Sequence, residues 1–447
     1  MEANRPNILY IHSHDTGRYV QPYGYAIPTP RIQQLAEEGV LFRKAFCVGP
    51  TCSPSRAALL TGQCPHSAGM VGLAHRGFSL SDYGQHIIHA LRAAGYYSAL
   101  VGVQHVAAEA GTIGYDHVAA QKDDLAAKAD PKDPEYRART IVAAAEEFLA
   151  APPDRPFFLS VGFFETHRVF QPVGQAEDAR YCRPAAPIAD MPETRADMAG
   201  FMSSARVLDR SIGQVLEALD RAGLAGNTLV ICTADHGTAF PGMKCTLTDH
   251  GTGVMLMMRG PGEFTGGKVC DAMVTHMDIF PTICELLHID RPEWLEGDSL
   301  MPLIRGETDE IHDEIHSEIN YHACYDPHRA VRTRRWKYIR RFGDRARPLL
   351  PNLDDGPSKN LWLSHGWSER DLPEEYLFDL VFDPNEAANL ADQPRCGQVL
   401  ADMRERLDHW MKETDDPLLK GPVPAPSGAK VNDPDAVSPN EPTITVP

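Results

Sequence analysis

Thr228-Leu229-Val230-Ile231-Cys232-Thr233-Ala234-Asp235-His236-Gly237 runs from an apolar, β-branched strand pattern straight into an acid, an imidazole and a turn residue. Ahead of it lies a long helical pattern, Arg195–Ala222, that stops at Gly223. The same alternation recurs along the chain. Ile8–Ile11 reads as a buried strand, and Pro30–Glu38 as a short helix with Pro near its start and Gly39 after its end. Tyr83–Ala94 reads as a helix ended by Gly95, followed by the strand Tyr97–Val101. Tyr136–Ala150 reads as a helix ahead of the strand Phe157–Gly162. Strands alternating with helices predict an α/β fold with a large, mostly parallel sheet covered by helices on both faces. In such sheets active sites gather at the carboxyl ends of the strands, so the polar residues directly after each strand are the candidates.

A second region begins after Gly297–Gly306. Val331–Phe342, Leu377–Phe382 and the amphipathic stretch Val399–Trp410 predict a smaller α+β subdomain with a short antiparallel sheet and one helix. The tail from Gly421 has no hydrophobic period and reads as a loose or partner-wrapping arm. The expected division is residues 1–306, 307–420 and 421–447. An arm of this composition needs a surface to lie on, its own or a neighbour's, so self-association into a homo-oligomer is an expectation.

The length of 447 residues is ample for a large core. Hydrophobic residues at 43% and charged residues at 23% exclude a disordered chain and a small disulfide-held scaffold. A net charge of −18 argues against nucleic acid or an anionic membrane as partner, and an anionic substrate would need a local positive site. No apolar stretch is long enough to span a membrane. Met1–Asn7 runs into Ile8–Ile11 with no basic region or cleavage site ahead of it. The 10 cysteines are irregularly spaced, with no CxxC pair, which suits reduced thiols. A cytoplasmic location is expected.

Two strands end in an acid beside an imidazole: His14-Asp15 after Ile8–Ile11, and Asp235-His236 after Thr228–Thr233. Taken singly, each is also compatible with an ordinary turn. Brought together by a parallel sheet, they would make a metal site of two carboxylates and two imidazoles. Phe157–Gly162 leads to His167 and Tyr97–Val101 to His105, and imidazoles suit proton transfer near neutral pH. Cys52-Ser53-Pro54-Ser55-Arg56 precedes a helical pattern, so Cys52 sits at a helix N-terminus with Arg56 one turn on. The residues alone read as an activated thiol beside an anion site, or as a buried cysteine at a helix start.

Cys52-Ser53-Pro54-Ser55-Arg56-Ala57-Ala58-Leu59-Leu60-Thr61-Gly62 resembles the signature of the sulfatase family. Arg5-Pro6-Asn7-Ile8-Leu9, Asp235-His236-Gly237, Asp278-Ile279-Phe280-Pro281-Thr282, Leu377-Phe378-Asp379-Leu380 and Asp383-Pro384-Asn385-Glu386 follow the family order over nearly the whole chain. His409–Pro417 and Gly102–Val106 are most similar to the N-sulfoglucosamine sulfohydrolase branch. The resemblance implies an alkaline-phosphatase-like fold and a sulfuric ester hydrolase of the arylsulfatase or sulfamidase kind. It implies Cys52 converted to formylglycine by a formylglycine-generating enzyme, with Arg56 supporting it. It further implies metal ligands at Asp15, Asp235, His236 and the modified Cys52. His105 would contact the geminal diol, His167 would serve the leaving group, and Lys244 would bind the sulfate.

Two positions depart from the family pattern. His14 stands where the family has a first Asp, and Val103 where it has a Lys. Calcium prefers oxygen ligands and imidazole suits manganese or zinc, so His14 either ligates a softer ion or steps aside. One divalent ion is expected, calcium or manganese before zinc. Gln104 is the candidate to replace the missing lysine as a neutral donor. The implied chemistry is attack on sulfur by a hydroxyl of the hydrated aldehyde, proton delivery to the leaving atom by His167, and proton removal by His105. A small anionic sulfated substrate, ester or sulfamate, follows. A phosphonate monoester or phosphodiester hydrolase and a non-catalytic binding protein are the alternatives. Specificity is expected from the loops Lys122–Pro131, Gln171–Asp190 and Asp344–Ser364, which carry no readable code.

Overall fold

The computed structural model describes residues 5–121, 125, 133–174 and 176–447. Apart from Leu125, the loop Lys122–Pro131 lies outside the described residues.

The first region is built from β1 (Asn7–Ser13), α1 (Pro30–Glu38), β2 (Val40–Phe46), α2 (Cys52–Thr61), α3 (Ile87–Ala93), β3 (Tyr97–Gly102), β4 (His117–Ala119) and α4 (Tyr136–Ala150). It continues through β5 (Phe157–Gly162), α5 (Pro192–Arg221), β6 (Thr228–Ala234), β7 (Gly253–Val254), β8 (Leu256–Arg259), β9 (Lys268–Thr275) and α6 (Ile279–Leu287). The strand order is β4-β3-β5-β1-β6-β8-β2-β7, with β9 on β2. β3, β5, β1 and β6 lie side by side and parallel, in a register that pairs His12 with Gly162 and Ser13 with Ala234. Their carboxyl ends therefore form one edge. Beyond β6 the sheet turns mixed, because β8 runs antiparallel to both β6 and β2.

The unbroken apolar strands are explained by what covers them. Ile8, Tyr10, Leu229 and Ile231 face one core with Leu59 and Leu60 of α2, Ile88 and Leu91 of α3, and Phe280 of α6. Leu9, Ile11, Val230 and Cys232 face the other, with Leu35 of α1, Ile141 of α4 and Leu208 and Ile212 of α5. Successive residues point to opposite faces, and both faces are dry, so alternation with polar residues would leave unpaired groups inside.

The second region holds a four-stranded antiparallel sheet of β10 (Glu314–Tyr321), β11 (Tyr325–Thr333), β12 (Trp336–Arg341) and β13 (Glu375–Asp379), with α7 (Pro357–Ser364) between the last two strands. α8 (Gly397–Glu413) lays Leu400, Met403, Leu407 and Met411 onto Val331, Tyr338 and Leu377 of the sheet.

Three sequence expectations change in detail. Tyr83–Ala94 is not one helix: the Asp82 carboxylate accepts from Gly84 N at 2.7 Å, and an extended His86 caps a new helix, α3. Val331–Phe342 is not one strand but parts of two, joined by a hairpin in which Thr333 Oγ1 accepts from Trp336 N at 3.0 Å. The tail is not loose. β14 (Lys430–Asn432) pairs with β15 (Thr443–Thr445), Asn432 Oδ1 accepts from Arg76 at 2.8 Å, and Val437 O accepts from Lys359 at 2.7 Å, so its own chain supplies the surface it lies on. Among the described residues no helix is long and apolar enough to cross a membrane, and no cysteine is paired.

Candidate active site

The edge formed by β3, β5, β1 and β6 collects the charged residues. Asp15 leaves β1 in a left-handed backbone conformation (φ 53°), and its N–H donates to Asp235 Oδ1 at 2.8 Å. This bond locks the two strand ends to each other. Gly237 is required after His236, since a Cβ there would sit 2.0 Å from the His250 carbonyl. The ligand atoms of His14, Asp15, Cys52, Asp235 and His236 all lie within 4.8 Å of one another, and all five residues are buried.

Cys52 reaches this cluster from α2, whose first residue it is. Its sulfur lies 4.0 Å from His14 Nδ1. Arg56, one turn on, donates to Asp235 Oδ2 at 2.9 Å and to the Ser13 carbonyl at 3.1 Å, and its other terminal nitrogen meets His12. It thereby orients Asp235, while its Nε stays buried without a partner. Burial pushes the Cys52 thiol well above its usual value despite Lys244 nearby. The unmodified thiol is therefore not the activated thiolate that its place at a helix start suggested, because loss of water outweighs the positive neighbours.

Burial alone would raise the pKa of Asp15, but Lys244, with His167 nearby, holds it below the usual carboxylate range. Asp235 is held down as well, with the Arg56 guanidinium donating to its Oδ2. Both are thus kept as carboxylates. Burial lowers His14 and His105, leaving them neutral. His14 directs Nδ1 at the cluster, 2.8 Å from Asp15 Oδ1 and 3.3 Å from Asp235 Oδ2, and its Nε2 meets His105 Nδ1 at 3.0 Å. His167 packs its ring edge-on against His14 at 4.7 Å, with Nε2 3.9 Å from Asp15 Oδ2.

The donor set fits a divalent cation. His236 Nδ1 is engaged by the Gly237 carbonyl at 2.9 Å, so its Nε2 carries the lone pair. That Nε2 is buried and has no hydrogen-bond partner, yet lies 3.3 Å from Asp15 Oδ1 and 3.7 Å from Asp235 Oδ2. A bare buried imine nitrogen facing two carboxylates is stable only with a proton or a cation between them. Two imidazoles with two carboxylates are a mixed nitrogen and oxygen set.

Lys244 enters from the loop after β6, almost fully buried, with Nζ 2.9 Å from both Asp15 Oδ2 and Asp354 Oδ2. Burial opposes its charge, but these two carboxylates keep it firmly protonated. Gln104 does not serve as the neutral donor expected of it. Its Nε2 donates to the Ala107 carbonyl at 2.6 Å and its Oε1 accepts from Ala107 N at 2.9 Å, so the amide closes its own loop. Val103 is buried.

Sequence reasoning missed Asp354 and His322, both from the second region. His322, in the turn between β10 and β11, is buried with Nδ1 unpartnered and lies in the field of Lys244, Asp354 and His236. No spacing rule links residues so far from the strand ends; only the loop Asp344–Ser364 pointed to this part of the chain.

The family model of the sulfatases matches residues 6–289, and that of the N-sulphoglucosamine sulphohydrolase C-terminal region matches residues 244–365. The chain is 29% identical to N-sulphoglucosamine sulphohydrolase of Homo sapiens, over 94% of this chain and 92% of that protein. Among solved structures, a 2-O GAG sulfatase superposes with a TM-score of 0.72 at 22% identity, covering 95% of each chain. The phosphonate monoester hydrolase of Agrobacterium radiobacter superposes with a TM-score of 0.68 at 21% identity, covering 94% of this chain and 100% of that one.

Proposed function

Because the chain belongs to the sulfatase family, a family of sulfuric ester hydrolases, we propose that it hydrolyses a sulfate monoester or sulfamate with a formylglycine made from Cys52 and one divalent metal ion. The observation that carries this reading is the convergence of Cys52, His14, Asp15, Asp235 and His236 within 4.8 Å, beside a protonated Lys244.

His14, Asp15, Asp235 and His236 would hold the ion, together with the modified side chain at position 52. Bound there, an ion would supply positive charge for the sulfate oxygens and would acidify a hydroxyl of the hydrated aldehyde. Lys244 binds the sulfate group and offsets its charge, which would otherwise face two ionised carboxylates. The free Nε of Arg56 is the donor left for an oxygen at position 52, while its terminal nitrogens hold Asp235 in place. His167, half-buried at the rim, gives a proton to the departing oxygen or nitrogen. His105, kept neutral by burial, accepts the proton of the second hydroxyl at position 52, whose oxygen then forms the C=O of the aldehyde as the C–O bond to the sulfate group breaks and sulfate leaves with that electron pair.

The formylglycine-generating enzyme is a partner during maturation. Release of sulfate from 4-nitrophenyl sulfate, compared with hydrolysis of a phenyl phosphonate monoester by the same sample, tests the reading. Sulfate release as the faster reaction supports it; a preference for the phosphonate overturns it.

A further inference from the structure

Two carboxylates meet Lys244: Asp15 Oδ2 and Asp354 Oδ2 each lie 2.9 Å from its Nζ. Asp15 is also a proposed ligand of the metal ion, which would draw on its charge. Asp354 is the partner that the ion does not claim, so its place helps to set where the ammonium group points. Both chain neighbours of Asp354 are held by one buried ammonium group, that of Lys359. Lys359 Nζ donates to the Leu353 carbonyl at 2.9 Å and to Asp355 Oδ1 at 2.8 Å. Its third bond goes to the Val437 carbonyl of the C-terminal arm at 2.7 Å, so all three of its donors are used. The arm also takes the other oxygen of Asp355. Ser438 Oγ donates to Asp355 Oδ2, and Asn440 Nδ2 donates to the same oxygen at 3.2 Å. Glu441 Oε1 braces this turn of the arm, accepting from Val437 N at 2.7 Å and Ser438 N at 2.9 Å. Asp354 thus faces Lys244 while Asp355 faces the arm.

The same arm fastens two further segments. Asn432 N donates to the Ala323 carbonyl at 2.9 Å, beside His322, and Ala323 N and Cys324 N donate to Asn352 Oδ1 at 3.0 and 2.8 Å. Asn432 Oδ1 accepts from Arg76 at 2.8 Å, next to His75, whose ring lies 6.2 Å from that of His105. Segments of both regions thus meet on residues 432–441. Resting on the sulfatase reading above, in which Lys244 binds the sulfate group, we propose that the C-terminal arm is a clasp on the active site. Lys359, Asp355, Ser438 and Asn440 are positioning residues that fix Asp354, and through it Lys244. A tail that only packs against the surface lowers activity, if at all, independently of Asp354. A clasp acts through that one carboxylate, so its loss and the loss of Asp354 do not add.

The test is a double-mutant cycle on the full chain. It measures binding of inorganic sulfate by calorimetry and kcat/KM for 4-nitrophenyl sulfate, with thermal midpoints as the check on folding. The variants are Ser438→Ala with Asn440→Ala, Lys359→Met, and Asp354→Ala alone and combined with each. The Ser438→Ala, Asn440→Ala pair should weaken sulfate binding and lower kcat/KM by about threefold or more. Lys359→Met, which removes three bonds, should lower both by about tenfold or more. Neither change should lower them further once Asp354 is Ala. Losses that persist undiminished in the Asp354→Ala background would show that the arm only supports the fold, and would overturn the inference. So would unchanged sulfate binding and kcat/KM in the Ser438→Ala, Asn440→Ala pair, which lies at the surface and decides the matter if Lys359→Met does not fold. A wild type that neither binds nor releases sulfate overturns the parent reading, and this inference with it. A wild type that does both, with additive losses, overturns this inference alone.

Discussion

The sulfur of Cys52 lies 4.0 Å from Nδ1 of His14, which itself meets Asp15 Oδ1 at 2.8 Å. An imidazole thus stands between the proposed nucleophile and the proposed metal ligands, at the position where the resemblance to the family pattern led to the expectation of a carboxylate. Exchanging a carboxylate for an imidazole keeps a donor atom but removes a charge and softens the site. His14→Asp should therefore shift metal preference toward calcium, and His14→Ala should weaken metal binding. Titration of manganese, zinc and calcium into both variants, followed by calorimetry, checks this. Unchanged affinity and preference in both would show that His14 is no ligand.

Lys244 is the buried cation assigned to the sulfate group. Lys244→Ala should lower kcat/KM for sulfate release by about 10²–10³-fold, the usual effect of losing one charge-stabilising donor. The variant also leaves Asp15 and Asp354 without their shared counter-ion. Lys244→Arg, which keeps the charge, should recover part of the loss in steady-state assays. No recovery at all would argue that Lys244 has a packing role.

His167 is assigned to the leaving atom, so its loss should depend on how good a leaving group the substrate carries. His167→Ala should slow an alkyl sulfate by about 10²–10⁴-fold. A nitrophenyl sulfate, whose leaving group needs no proton, should suffer much less. Equal losses on the two would contradict the assignment.

A second buried ion pair joins the two regions. His66 Nδ1 lies 2.8 Å from Glu318 Oε1, and Arg329 lies 3.3 Å from Glu318 Oε2. In spite of burial, His66 and Arg329 hold Glu318 down at about 2, and Glu318 lifts His66 above its ordinary 6.5. The lowered Glu318 contributes stability that is present above 4.5 and lost as pH falls toward about 2. The raised His66 contributes stability that is present below 6.5 and lost as pH rises through its folded value. The pair is therefore strongest between pH 4.5 and 6.5. Glu318→Gln should destabilise the protein by about 1–3 kcal/mol in that window, because His66 loses its buried counter-charge while Arg329 keeps Asp416 as its partner. The gap in thermal midpoint should narrow toward alkaline pH. A gap independent of pH would show that the ionisations do not matter.

Much of this site was legible because its parts are local. A strand pattern followed by Asp235-His236, or by His14-Asp15, places both groups at a sheet edge, and parallel neighbours bring the edges together. Tyr136–Ala150 and Pro30–Glu38 were readable as helices because Pro and Gly mark an end and the apolar residues keep a helical period. The failures were tertiary or chemical. Gln104 looked free to donate, but its amide is satisfied by backbone three residues away. The break at His86 follows from a side-chain cap that periodicity does not register. Asp354 reaches Lys244, and His322 comes into its field, only because the second region folds back over the sheet edge, and no local pattern encodes that approach.

The central claim is that Cys52 is the precursor of the nucleophile. Conversion exchanges its thiol for an aldehyde, and Cys52→Ala should abolish turnover while leaving the thermal midpoint close to that of the wild type. The most direct measurement is the mass of the peptide containing Cys52-Ser53-Pro54-Ser55-Arg56, taken from a preparation of known turnover made in a host with the modifying machinery. The account predicts formylglycine at position 52, in a fraction that tracks specific activity across preparations. Full sulfate turnover from protein carrying only the unmodified thiol would contradict it.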